Sequence, residues 1–113
     1  MTAAAVIDAQ IEAYRARDLD RFLSFFAHDV VVTNFDGVVL MDGVEAMRDH
    51  YAPLFADSPD LTVEITSRIE AGSFVVDLEH LEGFHMAPYP ESFDAGCVYR
   101  VAGDKIAAMK FLL

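Results

Sequence analysis

With 113 residues, 54% of them hydrophobic, the chain is one domain spanning 1–113, with apolar side chains to spare for a cavity or a partner chain. Its 8 basic residues stand against 19 acidic ones, and the net charge of −11 repels phosphate backbones, which excludes a nucleic-acid partner. The single cysteine, Cys97, excludes an internal disulfide framework and a cysteine-built zinc cluster and points to a reducing, cytoplasmic setting; no membrane is expected either, since no apolar run reaches the roughly 18 residues of a span.

The start, Met1-Thr2-Ala3-Ala4-Ala5, has no basic stretch leading into an apolar run, so no signal peptide is expected. Val6, Ile7, Ile11 and Tyr14 recur at helical spacing and predict an amphipathic first helix over 4–17. Asp18 and Asp20 suit the cap of a second short helix carrying Leu19, Phe22, Leu23 and Phe26 and ending near Ala27. Val30 to Phe35 reads as a strand, Asp36-Gly37 as a hairpin turn and Val38 to Met41 as the returning strand. After Asp42-Gly43 a third helix is expected from Val44 to Phe55, with Met47, His50, Tyr51 and Leu54 on one face and Pro53 bending it or ending its regular hydrogen bonding.

Beyond Ser58-Pro59-Asp60 the pattern is β. Leu61, Val63, Ile65, Ser67 and Ile69 alternate with Thr62, Glu64, Thr66, Arg68 and Glu70, the period of a half-buried strand. After Ala71-Gly72, Phe74, Val76 and Leu78 alternate with Val75, Asp77 and Glu79. A loop from Gly83 to Pro90 follows, then strands over 92–102 and 105–112 that meet at Gly103-Asp104. Helices first and a long antiparallel run afterwards make an α+β fold with the helices on one sheet face.

Several of these pieces together resemble the nuclear-transport-factor-2-like superfamily, in its ketosteroid-isomerase-like and SnoaL-like branch: Arg17-Asp18-Leu19-Asp20, Phe26-Ala27-His28-Asp29-Val30, the helix start from Gly43 to Tyr51, Arg68-Ile69 before a glycine turn, and the ending Val98-Tyr99-Arg100-Val101 with Lys105-Ile106. The resemblance covers nearly the whole chain. It implies a cystatin-like cone, in which a strongly curved antiparallel sheet wraps around three N-terminal helices, with a deep pocket and commonly a homodimer through the outer sheet face. It leaves the activity open, because the superfamily mixes isomerases, cyclases, hydrolases, dehydratases and non-catalytic binding domains on one cone. A ketosteroid isomerase needs a carboxylate base and an oxyanion hole made by a tyrosine and a neutral aspartic acid. Aligned on Asp18-Leu19-Asp20, the base position falls on Asn34, the tyrosine position on Gln10 and the neutral-acid position near Cys97. All three depart from the family pattern, so a true steroid isomerase is not expected.

The expected pocket wall is Gln10, Tyr14, Asn34, His50, Tyr51, His80, Cys97 and Tyr99, with His50, His80 and Tyr14 as candidate catalytic residues. Gln10 sits in the apolar stripe of the first helix, either as an amide at the stripe edge or as a hydrogen-bonding group of the pocket. Asn34 either anchors the following turn or orients a ligand carbonyl. Tyr14 and Tyr99 need partners for their hydroxyls, and a ligand is one such partner. His50 lies on the inner stripe of the third helix, where an imidazole can serve as acid, base or ligand.

The parity of the fourth strand decides more. With Phe74, Val76 and Leu78 inward, His80 follows them into the pocket, and Asp77 and Glu79 face out toward Arg68, Arg100 and Lys110. With the opposite parity Asp77 and Glu79 enter, and one of them is the only carboxylate base available. Three apolar residues ahead of His80 favour the first arrangement, and a bulge would flip it. His28 is read as an exposed corner, and His85 as part of a loop that either lids the cavity or simply connects.

No histidine pair has the spacing of a helical metal site, and the glycines are isolated turn residues, so neither a metal nor another cofactor is expected. These features suggest a protein that binds a hydrophobic small molecule. Two readings follow: a cofactor-independent isomerase, lyase or hydrolase acting on an apolar carbonyl or hydroxyl compound, and a non-catalytic ligand-binding or dimerisation domain.

Overall fold

The computed structural model describes the chain from Met1 to Leu113 as α1 (Ala3–Arg15), α2 (Leu19–Ser24), β1 (Phe26–Thr33), β2 (Val39–Asp42), α3 (Val44–Asp57), β3 (Thr62–Ala71), β4 (Phe74–Glu82), β5 (Phe93–Ala102) and β6 (Lys105–Leu112). The Thr2 hydroxyl caps α1 by accepting the Ala5 N–H at 3.1 Å, which satisfies one of the free donors of the first turn. The helix ends earlier than its periodicity suggests. Arg17 takes a left-handed φ of 53°, and the Asp18 N–H turns back to the Ala13 carbonyl at 3.0 Å. Asp18 then caps α2, its carboxylate accepting the Arg21 N–H at 3.2 Å.

β1 begins at Phe26, well before Val30, because the Phe25 carbonyl accepts the Ile106 N–H at 2.8 Å and draws the chain onto β6. Nor does Pro53 end α3, which continues to Asp57. Both Pro53 and Asp49 are exposed, so the carbonyl that loses its helical donor is left to water. No helix is long and apolar enough to cross a membrane.

The six strands form one sheet in the order β2-β1-β6-β5-β4-β3. The expected all-antiparallel sheet is corrected at one place: β1 and β6 pair in parallel. Chain order explains the exception. The β1–β2 hairpin leaves β2 running opposite to β1, and α3 returns the chain across the sheet, so β3 starts in the direction of β2. Three hairpin connections then leave β6 running with β1.

α1 packs on β3 to β6, while α3 packs on β1 and β2, so the core lies between the helices and one sheet face. Phe22 is its aromatic hub. Its ring centroid lies 4.8 Å from Tyr51, 5.1 Å from Phe26, 5.6 Å from Phe55 and 5.7 Å from Tyr14. The opposite sheet face is open, and it is apolar too: Ile69 is 64% exposed and Leu78 47%.

A bulge in β3 sets which side chains reach the interior. Ile65 pairs with Glu79 and Ser67 with Leu78, leaving Thr66 as an extra residue. Val63 and Ile65 therefore face inward before the bulge, and Arg68 does so after it. Ile69, expected on the buried side, is turned out. On β4 the inward set is Val75, Asp77, Glu79 and Leu81, the reverse of the favoured parity.

At the end of β4, Gly83 has a φ of 69°, and a Cβ there would lie 2.4 Å from the Asp60 carbonyl oxygen. Only glycine allows this close approach, which ties the loop after β4 to the corner between α3 and β3.

Candidate functional site

Helices α1 and α3 and the concave sheet face enclose a cavity of about 280 Å³. Its wall is almost wholly apolar. Leu40, Tyr89 and Leu113 belong to the wall and are exposed, so they mark its opening. One side of the rim is aromatic. Tyr89 stacks on Phe93 at 5.7 Å with 20° between the planes, and Phe84 stands edge-on to both. The segment between Gly83 and Phe93 thus forms part of the wall as well as joining two strands.

Glu79 is the one carboxylate in this wall, and it is 8% exposed. The Tyr99 hydroxyl donates to its Oε1 at 3.1 Å, and the Cys97 thiol sits on the same carboxyl group. Register explains the grouping: on β5, Ala95 pairs with Glu79 and Cys97 with Asp77, so alternate residues of both strands point into the interior. Burial pushes the Glu79 carboxyl up to about 7. The Cys97 and Tyr99 hydrogen bonds pull the other way, the Asp77 charge adds to the rise and the Arg68 charge opposes it. Burial also raises the Tyr14, Tyr51, Tyr99 and Cys97 hydroxyl and thiol groups, which keeps them protonated and able to donate. It lowers His50, whose ring stands edge-on to Tyr51 at 4.9 Å.

Of the residues singled out in the sequence, Gln10, Tyr14, His50, Tyr51, Cys97 and Tyr99 line the cavity. Gln10 is 4% exposed, and its Oε1 has no hydrogen-bond partner.

Two residues fall elsewhere. His80 lies on the outer sheet face, its Nδ1 2.8 Å from Asp94 and its Nε2 3.1 Å from Glu82. Those two carboxylates raise its proton affinity. The apolar run that favoured its inward placement is instead the exposed outer face of β4. Asn34 anchors the β1–β2 turn, with its Oδ1 accepting the Val38 N–H at 3.0 Å and its own N–H donating to the Val38 carbonyl at 3.0 Å. His28 and His85 are exposed, and His85 lies 3.2 Å from Glu91.

Glu79 was visible in the sequence only as the consequence of the less favoured parity. The signal that finds it is the register with β5, because Ala95, Cys97, Tyr99 and Val101 form a buried alternating set and Glu79 pairs with a member of it. Behind Glu79 on the same strand face, the wholly buried Asp77 takes two bonds from Arg68, Nε at 2.6 Å and Nη2 at 2.9 Å. Arg68 Nη1 also donates to Asp8 on α1 at 2.7 Å.

No curated protein matches the sequence. Among solved structures, an uncharacterised cystatin-fold protein of Novosphingobium aromaticivorans is 32% identical, with a TM-score of 0.88, covering 100% of this chain and 99% of its own. A candidate polyketide cyclase of Sinorhizobium meliloti is 16% identical with a TM-score of 0.76, covering 96% of this chain and 94% of its own. An LEH-like epoxide hydrolase of M. tuberculosis, also 16% identical with a TM-score of 0.76, covers 96% of this chain and 80% of its own. At that identity the last two show a shared fold. The SnoaL-like domain profile matches residues 7–109, nearly the full length of the folded unit just described. The chain belongs to the SnoaL-like domain family.

Proposed function

We propose that the protein is a cofactor-independent acid–base enzyme for an apolar carbonyl or hydroxyl compound, with Glu79 as the group that takes and returns the proton. The observation that carries this reading is a single carboxyl group, 8% exposed, in an otherwise apolar cavity wall, where burial pushes its proton affinity up toward neutrality. A group half-protonated near the working pH is available as base and as acid, which is the condition for efficient proton transfer. Tyr14 and Tyr51 remain neutral donors in the same wall and supply hydrogen bonds for a ligand oxygen on which charge develops. The apolar wall excludes water and strengthens each of these contacts. The chemistry named for the cyclase and the epoxide hydrolase of the same fold is compatible with a proton-transferring pocket.

A small bicyclic ketone such as 2-tetralone tests the reading. In D2O at pH 7, the protein is expected to accelerate loss of the proton signal at the carbons beside the carbonyl, and Glu79→Gln is expected to remove the acceleration. Equal exchange with wild type and variant across a panel of such ketones contradicts the proposal.

A second reading, binding without turnover, rests on Gln10. Its unpartnered Oε1 calls for a ligand that offers a donor, which a hydroxyl compound does.

A further inference from the structure

Two carboxylates lie side by side on the inner face of β4, Asp77 and Glu79, in a fold that brings one cation to that place. Charges buried this close are costly unless paired, and the pairing here is unequal. Arg68 gives Asp77 two bonds from adjacent nitrogens of its guanidinium plane, the bidentate geometry that best holds a carboxylate. Glu79 receives only neutral donors, Tyr99 and Cys97. Asp77 lines no part of the cavity wall, whereas Glu79 does. The β3 bulge is what turns Arg68 inward to meet Asp77, so the arrangement depends on one extra residue at Thr66.

We infer that the Arg68–Asp77 pair is a positioning element for Glu79: it holds a paired carboxylate directly behind the cavity and sets the charges against which the ligand-facing Glu79 works. The inference rests on the proposed acid–base role only for its functional meaning; the charge arrangement itself is read without any substrate. The groups facing Glu79 are Tyr14 from α1, Tyr51 from α3, Arg68 from β3, Asp77 from its own strand, and Cys97 and Tyr99 from β5. Only Arg68 and Asp77 among them are formally charged, and they act in opposite directions on Glu79. Asp8, the outer partner of Arg68, is 64% exposed at its side chain and screened by water.

The test follows the Glu79 side-chain carboxyl by 13C NMR across pH in the whole protein, with four variants. Asp77→Asn removes the like charge and keeps the cation, and is expected to lower the Glu79 midpoint by about 0.5 to 1 pH unit. Arg68→Met removes the cation and is expected to raise it. The double variant removes both and is expected to return the midpoint close to the wild-type value; a shift in Asp77→Asn that the double variant undoes is what a purely structural role does not produce. Asp8→Asn is expected to leave it unchanged.

Arg68→Met alone leaves a buried carboxylate unpaired and is the variant most prone to unfold. Asp77→Asn and the double variant decide the matter without it. An unchanged or raised midpoint in Asp77→Asn, or a double variant that fails to return, overturns the inference. Failure of ketone exchange with these shifts intact removes the proposed reaction and leaves the charge arrangement standing.

Discussion

Glu79→Gln is expected to make the protein less active and more stable at once, with the stability gain growing as pH rises. Folded Glu79 holds its proton up to about pH 7, whereas the unfolded chain releases it near 4.5. Between those values the folded state binds more protons than the unfolded one, so stability falls as pH increases. Above neutrality the wild type carries the full cost of a buried carboxylate, roughly 3 kcal/mol for a shift of this size. Glutamine carries no such charge, and its amide oxygen still accepts from Tyr99. Near pH 4.5 the two proteins are expected to unfold alike, and by pH 8 the variant is expected to melt several degrees higher. For a substrate that the wild type turns over, kcat/KM is expected to fall by about 10²- to 10⁴-fold, the usual contribution of an acid–base group. Parallel melting curves across that pH range would show that Glu79 titrates as an ordinary surface carboxylate.

Phe22→Ala is expected to be the most damaging single truncation in the core. Phe22 is 1% exposed and its ring touches four other aromatic rings, from α1, α3 and β1. Those rings come from elements that cannot close together without it, so most of the vacated space stays open. The cost is about 3 to 5 kcal/mol, from lost burial plus the remaining void. Because Phe22 also belongs to the cavity wall, the hole extends the cavity toward Tyr51 and loosens the side that carries His50. Urea unfolding followed by circular dichroism measures this as a lower midpoint with an unchanged slope. A loss below about 1 kcal/mol would mean that the helices collapse onto the gap and that the ring cluster contributes little.

Features set by local chemistry were legible in the sequence. The stripe of Val6, Ile7, Ile11 and Tyr14 marks the buried face of α1, and Asp18 caps α2 as its side chain suggests. The tight turn after Asn34 is likewise legible from Asp36-Gly37. The α+β order of elements and the SnoaL-like resemblance also hold. What alternation could not convey was which face of β4 is the inner one. Both faces hold apolar residues: Phe74 and Leu78 sit on one, Val75 and Leu81 on the other. Hydrophobicity therefore carries no directional information there, and the open outer face of the sheet is itself apolar. The choice is made by register with β5 and by the extra residue in β3, neither of which is encoded in the periodicity of a single strand. The result exchanges His80 for Glu79 at the heart of the site. Asn34 takes the turn-anchoring one of its two readings and stays out of the pocket wall, because its side chain is used by the turn that it begins.

The most direct test is the 13C titration of the Glu79 side chain in the unmodified protein. A midpoint near 7 is what a carboxyl group sealed among tyrosines and apolar side chains should give. A midpoint near 4.5, the value of a solvated glutamate, would place that group in water and contradict the site described above.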